Sequence, residues 1–275
     1  MFMSILYDYH LHSAFSGDSD TPTREMVQRA EALGLTGICL TEHLDIDAPP
    51  DPKGADFTFL DFDAYFAKLE ELRALYGNKI QIGFGVEFGM LPHLPGELSS
   101  LHEKYSFDYV ILSQHFVCGV DPYYPEYFES RTERKGYEEY FRTEYANLKK
   151  FSLSDYDTLG HMDYIVRYGP NRNQNYSYRA YADFIDPILR YLIEHGKCLE
   201  LNTGGYKYGL GEPNSCADVF RRYRELGGEL VTIGSDAHQP QHIAYDFKRA
   251  EELLTSLGFR YYTVFERRKG QQVKF

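Results

Sequence analysis

Hydrophobic and polar positions along this chain follow two periods in turn. Short apolar runs with β-branched or aromatic content recur at Ile5–His10, Thr36–Thr41, Ile80–Glu87, Tyr109–Ser113, Thr158–His161, Cys198–Asn202 and Leu230–Ser235, with Arg260–Phe265 a weaker eighth. Their length and polar boundaries predict buried strands. Between them, apolar residues fall at helical spacing over Thr23–Leu33, Asp63–Tyr76, Tyr137–Lys150, Tyr178–His195, Ala217–Leu226 and Ile243–Leu257. The first of these follows a Thr-Pro start and stops before Gly34, and the second runs into Gly77, the expected start and stop signals.

Strand–helix alternation along the whole chain predicts a parallel sheet with helical crossovers. No internal repeat, low-complexity tract or linker interrupts it, so residues 1–275 are expected to form one domain. The longest loops are Asp45–Phe59, Val117–Arg134 and Arg167–Tyr178. Within the second, the tyrosine-rich stretch Tyr123–Tyr127 is either a lid or a surface loop. An open doubly wound sheet competes, but its phosphate loop is missing: neither GxGxxG nor GxxxxGK[ST] occurs.

Composition narrows the function. Hydrophobic residues at 43% and charged residues at 25% are those of an ordinary globular protein. Lys+Arg 29 against Asp+Glu 41 gives a net charge of −12, with no basic tract, which disfavours nucleic acid as a partner. No apolar run approaches the ~20 residues that span a bilayer, and Met1–His10 lacks a leader pattern, so no membrane partner and a cytoplasmic location are expected. Cys39, Cys118, Cys198 and Cys216 are scattered without a CxxC pair. Cys39 and Cys198 lie in apolar runs and read as small buried hydrophobes.

The ten histidines carry the chemistry. The residues at or just past successive strand ends are Asp8, His10 and His12; His43; Glu87; His115; His161; Asn202; and Asp236 with His238. Nearly all are good ligands for a borderline divalent metal, and in a barrel the C-terminal strand ends converge on one site. A lone strand-end histidine is more often a satisfied core or surface residue, but six at equivalent positions are not explained that way. His10-x-His12 on a strand presents both imidazoles on one face, and Asp236-x-His238 repeats the spacing. Glu87 closes an apolar run, where an unpaired carboxylate is costly; bridging two ions would account for it. His102, His195 and His242 read as structural, whereas His93, and Asn202 at its strand end, are candidate substrate contacts.

Together, Asp8-Tyr9-His10-Leu11-His12-Ser13, Thr41-Glu42-His43, Gly85-Val86-Glu87, Ser113-Gln114-His115, Gly160-His161-Met162-Asp163 and Gly234-Ser235-Asp236-Ala237-His238 resemble the polymerase-and-histidinol-phosphatase (PHP) superfamily. Within it the chain is most similar to the monofunctional histidinol-phosphate phosphatases. The resemblance implies an α/β fold, a distorted (β/α)₇ TIM-like barrel, that holds three divalent ions: zinc, manganese, iron or cobalt. It assigns His10, His12, Glu87 and Asp236 to one ion. Asp18, His43 and His238 go to a second, with Asp20 a rival to Asp18. Glu87, His115 and His161 go to a third. Arg167 matches a phosphate-binding arginine of the family. Where a second arginine is expected after Asn202, this chain has Lys207, which keeps the charge and loses the bidentate fork.

The implied activity is hydrolysis of L-histidinol phosphate, a step of histidine biosynthesis, through in-line attack by a metal-bridging hydroxide with no phosphoenzyme. Three divalent ions outweigh Asp18, Glu87 and Asp236, so an acidic chain still offers an anionic phosphoester a positive site. Asp236 or His238 is the candidate to protonate the leaving alkoxide, with Glu87 beside them. Asp8, Glu42 and Asp163 are the candidates to orient the ligating imidazoles. Competing readings are another monoester, such as a phosphotyrosine or nucleotide, a non-catalytic metal-binding module, and an amidohydrolase. The last lacks a candidate for its mid-barrel lysine. Nothing in the sequence speaks to oligomeric state.

Overall fold

A computed structural model describes residues 4–275. Its elements run β1 (Tyr7–Leu11), α1 (Thr23–Ala32), β2 (Gly37–Leu44), α2 (Phe62–Tyr76), β3 (Gln81–Gly89), α3 (Pro95–Lys104), β4 (Tyr109–Ser113), α4 (Glu126–Glu129) and α5 (Glu133–Leu148). There follow β5 (Thr158–Leu159), α6 (Ala182–Glu194), β6 (Cys198–Asn202), α7 (Gly204–Lys207), α8 (Ala217–Glu225), β7 (Val231–Gly234), α9 (Phe247–Ser256), β8 (Tyr261–Glu266) and β9 (Lys269–Lys274).

Seven parallel strands form one sheet in the order β1 to β7, each paired with its sequence neighbour. The first and last strands meet just past the end of β7. Asp236 N–H donates to the His10 carbonyl and His12 N–H to the Ala237 carbonyl, both at 2.9 Å. Gly234 makes this seam possible, because a Cβ there would run into the Cβ of His10. The result is a nearly closed (β/α)₇ barrel, with strands that read as unbroken apolar runs because helices cover the outside.

Local signals explain most element boundaries. Asp61 caps α2 by accepting from Ala64 N–H at 3.0 Å. Thr132 caps α5, which therefore starts at Glu133, a turn before the expected Tyr137. Tyr178–Tyr181 forms a 3₁₀ turn rather than the first turn of α6, and α9 starts at Phe247 instead of Ile243, because Ala244 and Asp246 hold left-handed backbone (φ 54° and 51°).

The eighth apolar run is not a barrel strand. It pairs antiparallel with β9 in a hairpin whose turn, Arg267-Arg268, has φ 49° and 62°. The hairpin closes the N-terminal end of the barrel. Tyr9 OH donates to the Phe265 carbonyl at 2.7 Å, Phe265 stacks on Tyr109 at 5.2 Å, and Arg268 clasps the Asp157 carboxylate at 2.5 Å.

Cys39, Cys198 and Cys216 are buried and Cys118 is exposed, all as free thiols. Among the described residues, no helix is long and apolar enough to cross a membrane.

Candidate active site

The open end of the barrel carries a cavity of about 700 Å³. Its floor is made by strand ends. β2 and β3 run three and two residues beyond their expected limits, so His43 and Glu87 lie within strands, whereas His115, His161 and Asp236 each follow their strand by two residues.

Glu87 is fully buried at the centre, with its two carboxylate oxygens facing opposite groups. Oε2 lies 3.2 Å from His10 Nε2, 3.6 Å from His12 Nε2 and 3.0 Å from His43 Nδ1. Oε1 lies 2.8 Å from His161 Nε2 and 3.3 Å from His115 Nε2, and it accepts from Ser113 Oγ at 2.6 Å. Asp236 Oδ1 extends the first group, 3.5 Å from His12 Nε2 and 4.0 Å from His10 Nε2. On the rim, Asp18 Oδ2 lies 2.9 Å from His238 Nε2 and 3.7 Å from His43 Nε2. Asp20 lines the cavity without an ion-pair contact to these histidines.

This donor set fits divalent metal. His10 Nε2, His12 Nε2, His43 Nδ1, Glu87 Oε2 and His238 Nε2 are buried, point at one another and have no hydrogen-bond partner. Such groups are costly unless something binds them. Donor triads within 4.8 Å occur as His12/His43/His238, His10/Glu87/His161, His10/His12/Asp236 and His43/Glu87/His115. They overlap, so the donors form one continuous cluster rather than three separate cages.

Charge is balanced inside the cluster. Burial disfavours charge on His10, but Glu200 and Glu87 outweigh it and hold the imidazole well above its ordinary pKa. Burial, reinforced by His43 and His238, holds His12 well below. Burial alone would raise the Glu87 carboxyl, but His10, His43 and His115 pull it well down.

The expected orienting carboxylates do something else. Asp8 accepts from Ser235 N–H and Oγ, Glu42 from Ser13 and Ser16, and Asp163 from Asn214 and Cys216 N–H; none reaches a ligand imidazole. His10 Nδ1 is instead held by Glu200 at 2.6 Å, His115 Nδ1 by Asp45 at 2.8 Å and His12 Nδ1 by Ser16 Oγ at 3.2 Å. The available signals were a lone carboxylate in the apolar strand Cys198–Asn202 and an aspartate two residues past His43.

Arg167 lies on the cavity wall, 4% exposed. Its Nε donates to Asn214 at 2.7 Å, Nη1 to Asp236 Oδ2 at 2.9 Å and Nη2 to Asn202 Oδ1 at 3.0 Å. Its guanidinium lies over the rings of Tyr208 (4.9 Å) and Tyr164 (5.5 Å). Asp236 itself holds left-handed backbone, φ 54°, a strain that the seam hydrogen bond sustains.

Three expected substrate contacts are placed differently. His93 is 58% exposed and pairs with Asp47 at 2.8 Å, off the cavity wall, because the chain turns away after β3. Asn202 is buried and spends its side chain on Arg167, Gly204 N–H and Glu200. Lys207 Nζ donates to the Asp236 carbonyl at 2.7 Å, which leaves Tyr208 on the wall instead. In the tyrosine-rich loop, Tyr127 is core and bonds the Gly136 carbonyl, whereas Tyr123 and Tyr124 line the cavity and meet Lys53 and Asp51 of the facing loop.

A family model described as the PHP domain matches residues 8–204. The chain is 35% identical over 259 residues to a protein of Clostridium acetobutylicum named "Probable histidinol-phosphatase", covering 93% of this chain and 95% of that one. It is 31% identical over 259 residues to a histidinol-phosphatase of Lactococcus lactis, covering 94% and 93%. Among solved structures, the histidinol phosphate phosphatase of Lactococcus lactis in complex with zinc, L-histidinol and phosphate superposes with a TM-score of 0.88. The two are 30% identical, over 97% of this chain and 99% of that one.

Proposed function

The chain belongs to the PHP domain family, and from that premise we propose that it is a metal-dependent phosphatase that hydrolyses L-histidinol phosphate to L-histidinol and phosphate, a step of histidine biosynthesis. The observation that carries this reading is the meeting of a buried imidazole–carboxylate cluster and a buried arginine on one cavity wall. The full-length likeness to histidinol-phosphatases supports the substrate. One core cluster running from Ile5 to Val264 supports a single domain over 1–275, of which residues 1–3 lie outside the described residues.

His10, His12, Asp18, His43, Glu87, His115, His161, Asp236 and His238 would hold up to three divalent ions, with Glu87 shared between neighbours. Ions bound there supply Lewis acidity and acidify water. Arg167 binds the phosphate. Three of its five N–H groups are committed to Asn214, Asp236 and Asn202, which fixes the guanidinium plane and leaves one N–H on each Nη. Asp236 couples the two halves, with Oδ2 on Arg167 and Oδ1 among the histidines. Tyr164, Tyr168 and Tyr208 wall the cavity and limit water around the ester. His238, on the rim beside Asp18, is the candidate to pass a proton to the departing alkoxide.

The test is phosphate release from histidinol phosphate set against a panel of monoesters that includes phosphotyrosine and nucleoside monophosphates. The reading requires at least a roughly tenfold preference in kcat/KM for histidinol phosphate. A flat profile would assign the same machinery to another monoester.

A further inference from the structure

The cavity has two chemically different ends. One is the metal-ligand cluster with Arg167. The other, nearer the mouth, is aromatic and acidic, with its lysine, Lys53, held on Tyr123, and its carboxylates are not equivalent. Asp18 and Asp236 face histidines, and Asp45 is spent on His115. Asp51 accepts from the N–H groups of Lys53 and Ala55 and from Tyr124, within its own corner. Asp20 is exposed on the rim.

Asp121 differs from all of them. It is half-buried on the cavity wall and accepts only neutral donors: Tyr123 N–H at 2.8 Å and Tyr164 OH at 3.2 Å. Among the described residues, no lysine, arginine or histidine lies within ion-pair distance of it. Burial lifts its carboxyl to about 6 against smaller opposing pulls from the Tyr123 N–H and from His115, so at neutral pH it is ionised without a direct ion-pair partner.

Its position is set by Tyr164, whose ring lies 5.1 Å from His161 and 5.4 Å from His115 while its hydroxyl holds Asp121. Asp121 therefore stands about one tyrosine length from the metal-ligand cluster. Tyr168 packs between Tyr164 (5.0 Å) and Tyr123 (5.2 Å) and continues the aromatic wall beside the carboxylate. An aromatic face next to an unpaired carboxylate favours a cation or a flat cationic ring.

We propose that Asp121 is a specificity-determining residue: it is the counter-ion for a positive charge carried on the organic part of the phosphomonoester. This rests on the phosphatase reading above and adds that the cavity selects esters that are anionic at one end and cationic at the other. Histidinol phosphate, with an ammonium and an imidazole, is of that class.

The test uses the metal-loaded enzyme and a matched pair of esters, 6-aminohexyl phosphate and n-hexyl phosphate, with histidinol phosphate alongside. Wild-type enzyme should prefer the amino ester, and Asp121→Asn and Asp121→Ser should each lower that preference by roughly tenfold or more, chiefly through KM. Asp121→Glu, which keeps the charge, should retain most of it, so a merely misshapen loop is distinguishable. The proposal is overturned if wild type shows no preference for the amino ester, if the ratio stays within about twofold in the Asn and Ser variants, or if the Glu variant loses as much as they do. Should wild type prefer the amino ester through Asp121 yet hydrolyse histidinol phosphate poorly, the substrate reading falls and this one stands.

Discussion

Glu200 and His10 are bonded across the barrel, Oε1 to Nδ1 at 2.6 Å, with both side chains out of contact with solvent. The other oxygen of Glu200 accepts from His161 N–H at 2.7 Å and Asn202 Nδ2 at 3.2 Å, so the carboxylate cannot swing away. It fixes the His10 ring with Nε2 toward Glu87. Glu200→Gln is expected to weaken metal binding by roughly 10–100-fold while leaving the fold intact. Chelator competition measures this, and an unchanged affinity would remove Glu200 from the orienting role.

Glu87 serves two groups of histidines through two oxygens. Glu87→Ala should therefore lower bound metal by more than one equivalent per chain, and phosphate release should fall to near background. Elemental analysis of the purified variant gives the count. Full metal content combined with surviving activity would exclude a bridging role for this carboxylate.

Arg167→Lys keeps one positive charge but cannot reach Asn214, Asp236 and Asn202 from one plane. A loss of roughly 100-fold in kcat/KM is expected, with metal content unchanged. A variant that retains more than about a third of wild-type kcat/KM would argue that the phosphate is held elsewhere.

Glu144 on α5 is fully buried, and neither carboxylate oxygen has a hydrogen-bond partner. Burial, and secondarily Asp163, pushes its carboxyl well above the ordinary 4.5. Above that value the unfolded chain gives up a proton that the folded chain retains, so stability falls as pH rises, by up to about 1.4 kcal/mol per pH unit. Glu144→Gln should remove this dependence. Its urea midpoint should exceed that of wild type at pH 8, by about 1–3 kcal/mol in stability, and the gap should narrow toward pH 5. Parallel pH profiles for the two proteins would show that Glu144 is satisfied in the folded state.

Much of this arrangement was legible in the linear pattern. Tyr109–Ser113 and Cys198–Asn202 form strands over the expected residues because helices cover them and leave an uninterrupted apolar run. The strand ends then put His10, His12, His43, Glu87, His115, His161, Asp236 and His238 in one place. β9 was not legible: Lys269-Gly270-Gln271-Gln272-Val273-Lys274 is polar, and its Arg-Arg turn lacks the usual Asn-Gly signature. The orienting carboxylates failed for a different reason. Asp8, Glu42 and Asp163 are near ligands along the chain, whereas Glu200 approaches His10 from 190 residues away, a proximity created only by closing the barrel. Lys207 was expected at the substrate because it stands where the family pattern places a second arginine, and Asn202 because it ends a strand. In the folded chain their polar groups go to the carbonyl of Asp236 and to Arg167.

The hairpin of β8 and β9 gives the barrel a bottom. With Tyr9, Tyr109 and Phe265 packed across the N-terminal end, and Arg268 clamped on Asp157, the described residues close the barrel beneath the cavity, which opens at the strand ends. The end proposed to bind the anion is the deep one, since Arg167 and Glu87 are buried while Tyr123 stands exposed at the mouth. Depth then dictates departure: the alcohol must clear the mouth before the inorganic anion behind it can follow. Inorganic phosphate should thus inhibit competitively against the ester and the alcohol non-competitively, a queue imposed by the closed floor of the barrel.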